Sequence, residues 1–285
     1  MKKLLTAAAA FLLAAALFFG CGRETEFTFC PETEPGDVSV VSFNCAAPWG
    51  NIIKGTGSGA RVKRFAAYMN AVKPDSLGTQ EMNSDWMEKL AELMPDYDSY
   101  GVKRGGDDSE KKSEMNSIFW LKDKYDCVDK GTFWLSETPD EESRYSGAGC
   151  HRICSYVILE NKETNERYIH MNTHLDNASD DARVFGANVI AQKVKQFKSE
   201  YAGVPIILSG DFNDYLDGPA CSVIADELSA SKADTNTYHD WGKRTEGEPI
   251  DFIFTNAKAS ECVVLNDKTN GFVSDHYGIY ETISF

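Results

Sequence analysis

The chain has 285 residues, of which 42% are hydrophobic and 12% aromatic, and this is enough to bury one large core. Its formal net charge of −15 argues against a surface that holds polyanions such as nucleic acids without help. The charge does not exclude a nuclease, because bound divalent cations would supply the largest local positive charges. No linker rich in proline, glycine or serine divides the sequence, which predicts a single domain.

The N-terminus carries the features of an export signal. Lys2-Lys3 precedes an apolar run over residues 4–19, and Gly20-Cys21 follows it. This pattern predicts a secretory signal over residues 1–20. A cysteine directly after glycine resembles the lipobox of bacterial lipoproteins, in which Cys21 would carry the lipid. We therefore expect an extracytoplasmic lipoprotein anchored to a membrane, with a secreted product as the alternative and residues 21–37 as a tether.

The remaining cysteines are scattered along the chain. Eight cysteines less Cys21 leave seven, an odd number with no Cys-x-x-Cys pair among them. This pattern argues against a zinc site, and it leaves the disulfide state open. Most of the seven are expected to be buried thiols.

The first part of the chain alternates between strand and helix patterns. An apolar run that ends at Asn44 predicts a strand, and a glycine-rich loop follows over residues 46–60. Apolar residues at helical spacing predict a helix that ends before Pro74. The predicted elements here are strands 38–43 and 75–81, a helix over 61–72, and a helix that begins at Asn83 or Ser84 and ends before Pro95.

The second part of the chain is richer in strands. Two alternating segments around the polar turn 161–166 predict a hairpin. An apolar stripe over residues 182–198 predicts a helix. The predicted strands are 97–102, 116–121, 153–159, 168–173, 204–209, 250–255 and 278–284.

One of these strands is followed directly by groups that can carry chemistry. The apolar run over residues 204–208 leads into Ser-Gly-Asp-Phe-Asn, and Asp211 and Asn213 lie two residues apart. In an extended segment, residues i and i+2 point to the same side. The two side chains would share one face at the carboxyl end of a buried strand, where α/β proteins commonly bind their ligands.

Similar polar groups stand at the ends of the other strands. In chain order they are Ser-Phe-Asn, Gln-Glu, Asn-Thr-His-Leu-Asp, Gly-Asp-Phe-Asn, Ile-Asp and Ser-Asp-His. This order resembles the endonuclease/exonuclease/phosphatase superfamily of metal-dependent phosphohydrolases, from about residue 38 to residue 284. The resemblance implies an α/β fold, a four-layer sandwich of two packed mixed β-sheets flanked by helices, and a catalytic domain over residues 38–285.

The resemblance also implies a metal site. Glu81 would be the first ligand, Asn44 would lie beside it, and Asp275 would be a ligand of the second shell or of a second site. Carboxylate and carboxamide oxygens suit a hard cation, so the expected cofactor is Mg²⁺ or Mn²⁺.

The resemblance assigns the water activation to a histidine and three neighbours. His276 would be the general base, because an imidazole can take a proton near pH 7, and Asp251 would orient it. Asp211 would align or deprotonate the attacking water, and Asn213 would hold a phosphoryl oxygen.

A second imidazole and several other groups would face the substrate. His174 would contact the phosphate or the leaving group, with Glu114 as its carboxylate partner unless Glu114 is only a solvated loop acid. Substrate contacts are also expected from Arg152, Asn172, Asp176 and Asn177. The alternative is a surface salt bridge for Arg152. Where many relatives carry an arginine two residues before the Ile-Asp aspartate, this chain has Pro249.

The predicted function is therefore a divalent-metal-dependent hydrolysis of phosphoester bonds outside the cytoplasm. The substrate class stays open between nucleic acid, a phospholipid such as sphingomyelin or a phosphoinositide, and a small phosphoester. A lipid substrate would call for an exposed apolar hairpin, for which the loop carrying Trp49, Ile52 and Ile53 is the candidate. A non-catalytic surface-binding module on the same fold is the rival interpretation, and no protein partner is implied.

Overall fold

The structure, a computed structural model, describes residues 33–34, 36–47, 57–106, 113–268 and 270–285. The predicted signal, Cys21, most of the tether, and Trp49, Ile52 and Ile53 of the 46–60 loop lie outside the described residues. Among the described residues, no helix has both the length and the apolar character that crossing a membrane requires.

The described part of the chain forms thirteen strands and four α-helices. The strands are β1 (Val38–Asn44), β2 (Ser76–Met82), β3 (Tyr97–Tyr100), β4 (Met115–Leu121), β5 (Tyr125–Trp134), β6 (Ile153–Asn161), β7 (Arg167–His174), β8 (Ile206–Asp211), β9 (Ser229–Ala230), β10 (Asp251–Thr255), β11 (Lys258–Ala259), β12 (Val263–Leu265) and β13 (Gly278–Ser284). The helices are α1 (Ser58–Val72), α2 (Ser84–Leu93), α3 (Asp180–Glu200) and α4 (Pro219–Ala225).

The strands form two mixed sheets. Sheet 1 has the order β11-β13-β1-β2-β4-β3, with β12 also paired to β13, and sheet 2 has the order β5-β6-β7-β8-β10-β9. Each sheet contains a parallel pair, β1 with β2 in sheet 1 and β7 with β8 in sheet 2. The carboxyl ends of these four strands therefore meet at one edge of the sandwich.

Alternating side chains of each strand pack into different layers. Val41 and Phe43 of β1 join the apolar cluster beneath α1 and α2, whereas Val40 joins the cluster between the sheets. In β8, Leu208 packs toward α3 and α4, and Ile207 packs toward sheet 1. This two-residue period produces helices, sheet, sheet and helices in four layers, so the predicted α/β sandwich is confirmed.

A local signal sets the start of α2. The side chain of Asn83 accepts a hydrogen bond from Trp86 N at 3.0 Å, which caps α2 as predicted. The structure adds β5, α4 and the short strands β9, β11 and β12, which the sequence patterns did not predict. The six described cysteines, Cys45, Cys127, Cys150, Cys154, Cys221 and Cys262, are free thiols.

A buried polar cluster joins the two sheets just below the edge where the parallel strands end. The Asn172 Oδ1 atom of β7 accepts hydrogen bonds from Gln80 Nε2 at 2.7 Å and from Ser209 Oγ at 3.1 Å. Its Nδ2 atom donates to the carbonyl oxygens of Thr79 and Ser117 in sheet 1. Because the Asn172 amide is buried and hydrogen-bonded at both ends, it fixes how sheet 1 lies against sheet 2.

Candidate active site

A polar cavity opens at the edge where β1, β2, β7 and β8 end. It has a volume of about 360 Å³, and most of its lining residues are polar or charged. The lining residues are Glu81, Arg104, Glu114, Cys150, Arg152, His174, Asn177, Asp211, Asn213, Tyr238, Ile250, Asp275 and His276.

Glu81 reaches the cavity because its strand is irregular. The register of β2 against β4 shifts between Thr79 and Met82, and Glu81 has a left-handed φ of 57°. A bulge of this kind redirects a side chain, and a non-glycine residue in this region is strained. The two carboxylate oxygens of Glu81 accept hydrogen bonds from Asn44 Nδ2 at 3.1 Å and from Ala47 N at 2.6 Å.

Asn44, Glu81 and Asp275 form what we call the carboxylate side of the site. Asn44 is fully buried and supports this side from behind, because its Oδ1 accepts from Ala46 N and its Nδ2 donates to Glu81 and Asp211. Burial raises the pKa of Asp275, and the charge of Glu81 raises it further, although His276 acts in the opposite direction.

This side has the chemistry of a site for a hard divalent cation. Glu81 and Asp275 are like-charged groups that both line the cavity, so a cation between them would relieve their repulsion. Their oxygens are the donor type that Mg²⁺ and Mn²⁺ prefer. The residues present therefore fit such a cation, with Glu81 and Asp275 as ligands and Asn44 holding Glu81 in place.

Asp211 lies at the centre of the site, at the end of β8. Its Oδ2 atom accepts a hydrogen bond from Asn44 Nδ2 at 2.9 Å and faces His174 Nε2 at 3.6 Å and His276 Nε2 at 3.7 Å. Its Oδ1 atom accepts from the backbone of Asn213 at 2.9 Å. This carboxylate is 2% exposed and stands between the two imidazoles.

A close approach of two strands places Asp211 there. Gly210 has no side chain, and a Cβ atom at this position would lie 2.7 Å from the Thr173 carbonyl oxygen. The β7 backbone can therefore pass next to β8. The strand ends at Asp211, and Asn213 is left-handed with a φ of 47° rather than extended. Both side chains still line the cavity.

His276 is paired with Asp251. The Nδ1 atom lies 2.9 Å from Asp251 Oδ2, and both side chains are buried. Burial acts to lower the pKa of His276, but the charge and hydrogen bond of Asp251, together with Asp211, raise it to about 10. Burial and Asp251 also raise the pKa of Asp211, against the lowering effect of His276. The surroundings thus favour a protonated His276 next to the Asp211 carboxylate, whose pKa is raised.

By distance alone, Asp211, Asp251 and His276 could also hold a metal, because one ligand-type atom of each lies within 4.8 Å of the others. The Nδ1 atom of His276 is hydrogen-bonded to Asp251, which leaves Nε2 as the ring atom that could bind a metal. A protonated imidazole is no metal ligand. Because the surroundings of His276 favour its protonated form, we interpret this trio as a proton-handling group, whereas the carboxylate side offers hard oxygen ligands.

The opposite wall, which we call the arginine side, is formed by Arg104, Glu114, Arg152 and Asn177. Arg104 Nη1 lies 2.6 Å from Glu114 Oε2, and Arg152 Nη2 donates to Asn177 Oδ1 at 3.1 Å. Glu114 therefore pairs with Arg104, which corrects its expected pairing with His174. Among the described residues, no hydrogen-bond partner is found for His174 Nδ1, which is buried.

Comparison with known proteins identifies the family. Residues 41–276 match the Endonuclease/Exonuclease/phosphatase family. The chain belongs to this family. No curated protein matches the sequence significantly.

Several solved structures are similar to this chain. A mannosyl-6-phosphatase of Bacteroides thetaiotaomicron is 29% identical, with a TM-score of 0.80 and coverage of 87% of this chain and 100% of that one. A second endonuclease/exonuclease/phosphatase family protein from that organism is also 29% identical, with a TM-score of 0.80, and covers 89% of this chain and 97% of that one. The human nocturnin catalytic domain with bound sulfate is 17% identical, with a TM-score of 0.68 over 88% of this chain and 94% of that one, and shows the shared fold.

Two residues expected at the substrate lie outside the cavity lining of this family member. Asn172 is 0% exposed and belongs to the polar cluster between the sheets. It shares a strand face with His174 but lies two residues deeper, about 7 Å along the strand. Asp176 is 1% exposed, and its carboxylate accepts from the backbone of Gly149, Ala178 and Ser179 and lies 3.5 Å from Arg152 Nε. It therefore orients Arg152.

The sequence analysis did not identify Arg104, Cys150, Tyr238 or Ile250, which also line the cavity. Arg104 lies in a polar loop after β3 and reaches the site through its pairing with Glu114. Tyr238 packs its ring 4.9 Å from that of His276. No motif marks these positions.

Proposed function

We propose that this protein hydrolyses the phosphoester bond of a small, hydroxyl-rich phosphomonoester with the help of a divalent cation. The observation that carries the proposal is that one open polar cavity is lined by Glu81 and Asp275 of the carboxylate side, by Asp211 and His276, and by the arginine side. Family membership supports phosphoester hydrolysis as the reaction.

The carboxylate side would bind the cation through Glu81 and Asp275. A hard divalent cation there would offset the negative charge of the phosphoryl oxygens and assist the leaving oxygen. Asn44 and Ala47 N hold the Glu81 carboxylate in the position that this requires. Asn213, at the end of β8, would donate to a phosphoryl oxygen.

Water activation would fall to Asp211. Its carboxylate is buried and has a raised pKa, so it can accept a proton from water that approaches the phosphorus. His276, kept charged and oriented by Asp251, would stabilise the negative charge that develops. His174, which faces the same Asp211 oxygen, would contact the leaving oxygen. This division of roles differs from the expected one, in which His276 is the base.

The size and polarity of the cavity support a small substrate. A volume of about 360 Å³ suits a single phosphorylated sugar better than a nucleic acid duplex. Each arginine of the arginine side is already paired with an acceptor, so this wall offers several hydrogen-bonding groups and little net charge. Vicinal hydroxyl groups match such a wall. The likeness to a mannosyl-6-phosphatase supports the same substrate class.

A substrate panel tests the proposal. The purified mature chain would be assayed with Mg²⁺ or Mn²⁺ against hexose 6-phosphates, inositol phosphates, sphingomyelin, plasmid DNA, RNA and a bis-aryl phosphodiester. Asp211→Asn serves as the inactive control. We expect the highest kcat/KM with a sugar phosphate. If sphingomyelin or nucleic acid were cleaved preferentially, the proposed substrate class would be wrong. If no substrate of the panel were turned over, the result would favour a binding module.

We also propose that the mature chain acts outside the cytoplasm, tethered by a lipid on Cys21. The support is the positive, apolar and Gly20-Cys21 pattern of the N-terminus. In the natural host, Cys21→Ser should release the protein from the membrane fraction without loss of kcat. Retention of the processed variant in membranes would contradict the lipid anchor.

A further inference from the structure

Arg61 of α1 is a buried cation that touches several parts of the site's framework. It is 1% exposed, and its guanidinium donates hydrogen bonds to three backbone carbonyl oxygens. Nη1 lies 2.6 Å from Cys45 O and 3.2 Å from Val273 O, and Nη2 lies 2.8 Å from Ala46 O. One side chain therefore ties the segment after β1 to the segment before β13.

Two indole rings pack near the guanidinium. Its Cζ atom lies 5.0 Å from the Trp86 ring centroid and 5.4 Å from that of Trp241. Trp241 follows Asp240, and both are left-handed, with φ values of 57° and 44°. A non-glycine pair in this conformation persists only where its surroundings hold it, and here the stack on Arg61 is one such contact.

The segments that Arg61 contacts are those that carry the carboxylate side. Ala46 N and Ala47 N donate to Asn44 Oδ1 and Glu81 Oε2, and Ala46 is itself left-handed with a φ of 53°. On the other segment, the Asp275 carbonyl oxygen accepts from Asp240 N at 3.1 Å, next to Trp241. Arg61 thus contacts the neighbours of both predicted cation ligands without lining the cavity.

We propose that Arg61 is a positioning residue for the divalent cation, because it sets the spacing between the Glu81 and Asp275 carboxylates through the segments 45–47 and 273–275. The inference rests on the proposed function only in that a cation binds at the carboxylate side. A guanidinium suits this role because its planar donors reach several carbonyls while aromatic rings cover it. Lysine retains the charge but offers neither the planar fork nor the stack.

The test measures cation binding without substrate. Mn²⁺ affinity of the metal-stripped full mature chain would be determined by calorimetry for the wild type, Arg61→Lys and Arg64→Lys. Arg64 is the matched control, because it lies on the same helix and donates to Asn270 O at 3.3 Å. Loss of residues that orient metal ligands typically weakens affinity by about 10–100-fold. We expect a loss of this size for Arg61→Lys and an unchanged affinity for Arg64→Lys.

A second variant allows the test to be decided if Arg61→Lys does not fold. Trp241→Leu removes one indole from the stack and leaves the buried charge in place, and we expect it to weaken Mn²⁺ binding by roughly tenfold at most. Near-ultraviolet circular dichroism would establish that each variant is folded. If Arg61→Lys does not fold, the Trp241→Leu affinity decides.

The outcomes separate the two proposals. Wild-type Mn²⁺ affinity in a folded Arg61→Lys protein, or in Trp241→Leu where that variant decides, would overturn the role of Arg61 alone. An equal loss in Arg64→Lys would also overturn it, because the effect would then be general to the helix. A wild-type protein that binds no Mn²⁺ would overturn the cation site of the proposed function, and the role of Arg61 with it.

Discussion

The two imidazoles of the site face the same carboxylate oxygen, yet their surroundings drive them in opposite directions. His174 Nε2 lies 3.6 Å from Asp211 Oδ2, and His276 Nε2 lies 3.7 Å from it. Burial, together with the positive charges of Arg152 and Arg104, lowers the pKa of His174 well below its ordinary value. His276 is equally buried, but Asp251 and Asp211 raise its pKa to about 10.

The difference shows that the neighbours, rather than the depth of burial, decide the charge of each ring. Burial, together with the charges of the arginine side, keeps His174 neutral, so this ring can donate or accept a hydrogen bond but brings no charge. Asp251 and Asp211 keep His276 cationic. The cavity therefore has a neutral, hydrogen-bonding half suited to hydroxyl groups and a charged half suited to phosphate.

Removing the cation should have the largest effect on activity. Of the two sides, only substitutions on the carboxylate side should change the metal requirement. We expect EDTA to reduce activity to background and Mg²⁺ or Mn²⁺ to restore it, because the donor set consists of hard oxygens. Glu81→Gln should raise the Mg²⁺ concentration for half-maximal activity by roughly tenfold or more. The measurement is a metal titration of the initial rate.

Glu114→Gln is the control on the arginine side. It makes the same chemical change at a carboxylate that pairs with Arg104. It should not change the Mg²⁺ concentration that gives half-maximal activity. Full activity in metal-stripped buffer, or an equal shift in both variants, would contradict the separation of the two sides.

The second largest effect is expected for His276 and Asp251, whose substitution should lower kcat. Groups that handle protons or charge in the transition state contribute about 10²–10⁴-fold to kcat, so His276→Ala should lower kcat by that amount. Asp251→Asn should act through the same ring, because Nδ1 lies 2.9 Å from its carboxylate. The double variant should then be little worse than His276→Ala. Steady-state kinetics on variants with unchanged circular dichroism would test this, and multiplied penalties would show that the residues act independently.

The sequence allowed the fold and the centre of this site to be predicted, because both depend on local patterns. Asp211 and His276 stand beside strands whose apolar runs are unmistakable, and strand ends meet at one edge of a sheet. The Arg104–Glu114 pair depends instead on a contact between two loop residues that no local pattern marks. Asn172 shows a further limit, since a two-residue period predicts the face of a strand but not the depth at which a cavity ends.

A smaller effect is expected from the arginine side. Arg104→Met removes a hydrogen-bonding group from the wall opposite the cation, so the KM for a sugar phosphate should rise by about 10-fold with little change in kcat. The pKa of His174 should also rise, because Arg104 is one of the charges that lower it. Kinetics and an NMR titration of the imidazole would measure the two changes.

Arg167→Met provides the matched control, because Arg167 pairs with Glu160 on the hairpin between β6 and β7. It should alter neither KM nor the pKa of His174. A fall in kcat with unchanged KM in Arg104→Met would instead place Arg104 in the chemical step.

The smallest expected effect is on the pH dependence of the free energy of unfolding in the metal-free protein. The two histidines should contribute to it in different pH ranges. His276 has a pKa of about 10 in the fold and 6.5 as its ordinary value, so the native state binds the extra proton. The stability from this group is fully present below pH 6.5 and is lost as the pH rises toward 10, at no more than about 1.4 kcal/mol per pH unit. Asp251→Asn should flatten this decline. His174 has a lowered pKa, so its contribution is present above pH 6.5 and is lost at lower pH.

His174→Gln should therefore change the stability profile only on the acid side of pH 6.5. Urea unfolding in EDTA across the pH range would give both difference curves against the wild type. Burial and Asp251 raise the pKa of Asp211 to about 7, so Asp251→Asn also changes this titration, and the effect on His276 is therefore read above pH 7. If His174→Gln changed the decline above pH 7, or if Asp251→Asn left it unchanged, the neighbours would not be setting the two charges, and the division of the cavity into a neutral and a charged half would be wrong.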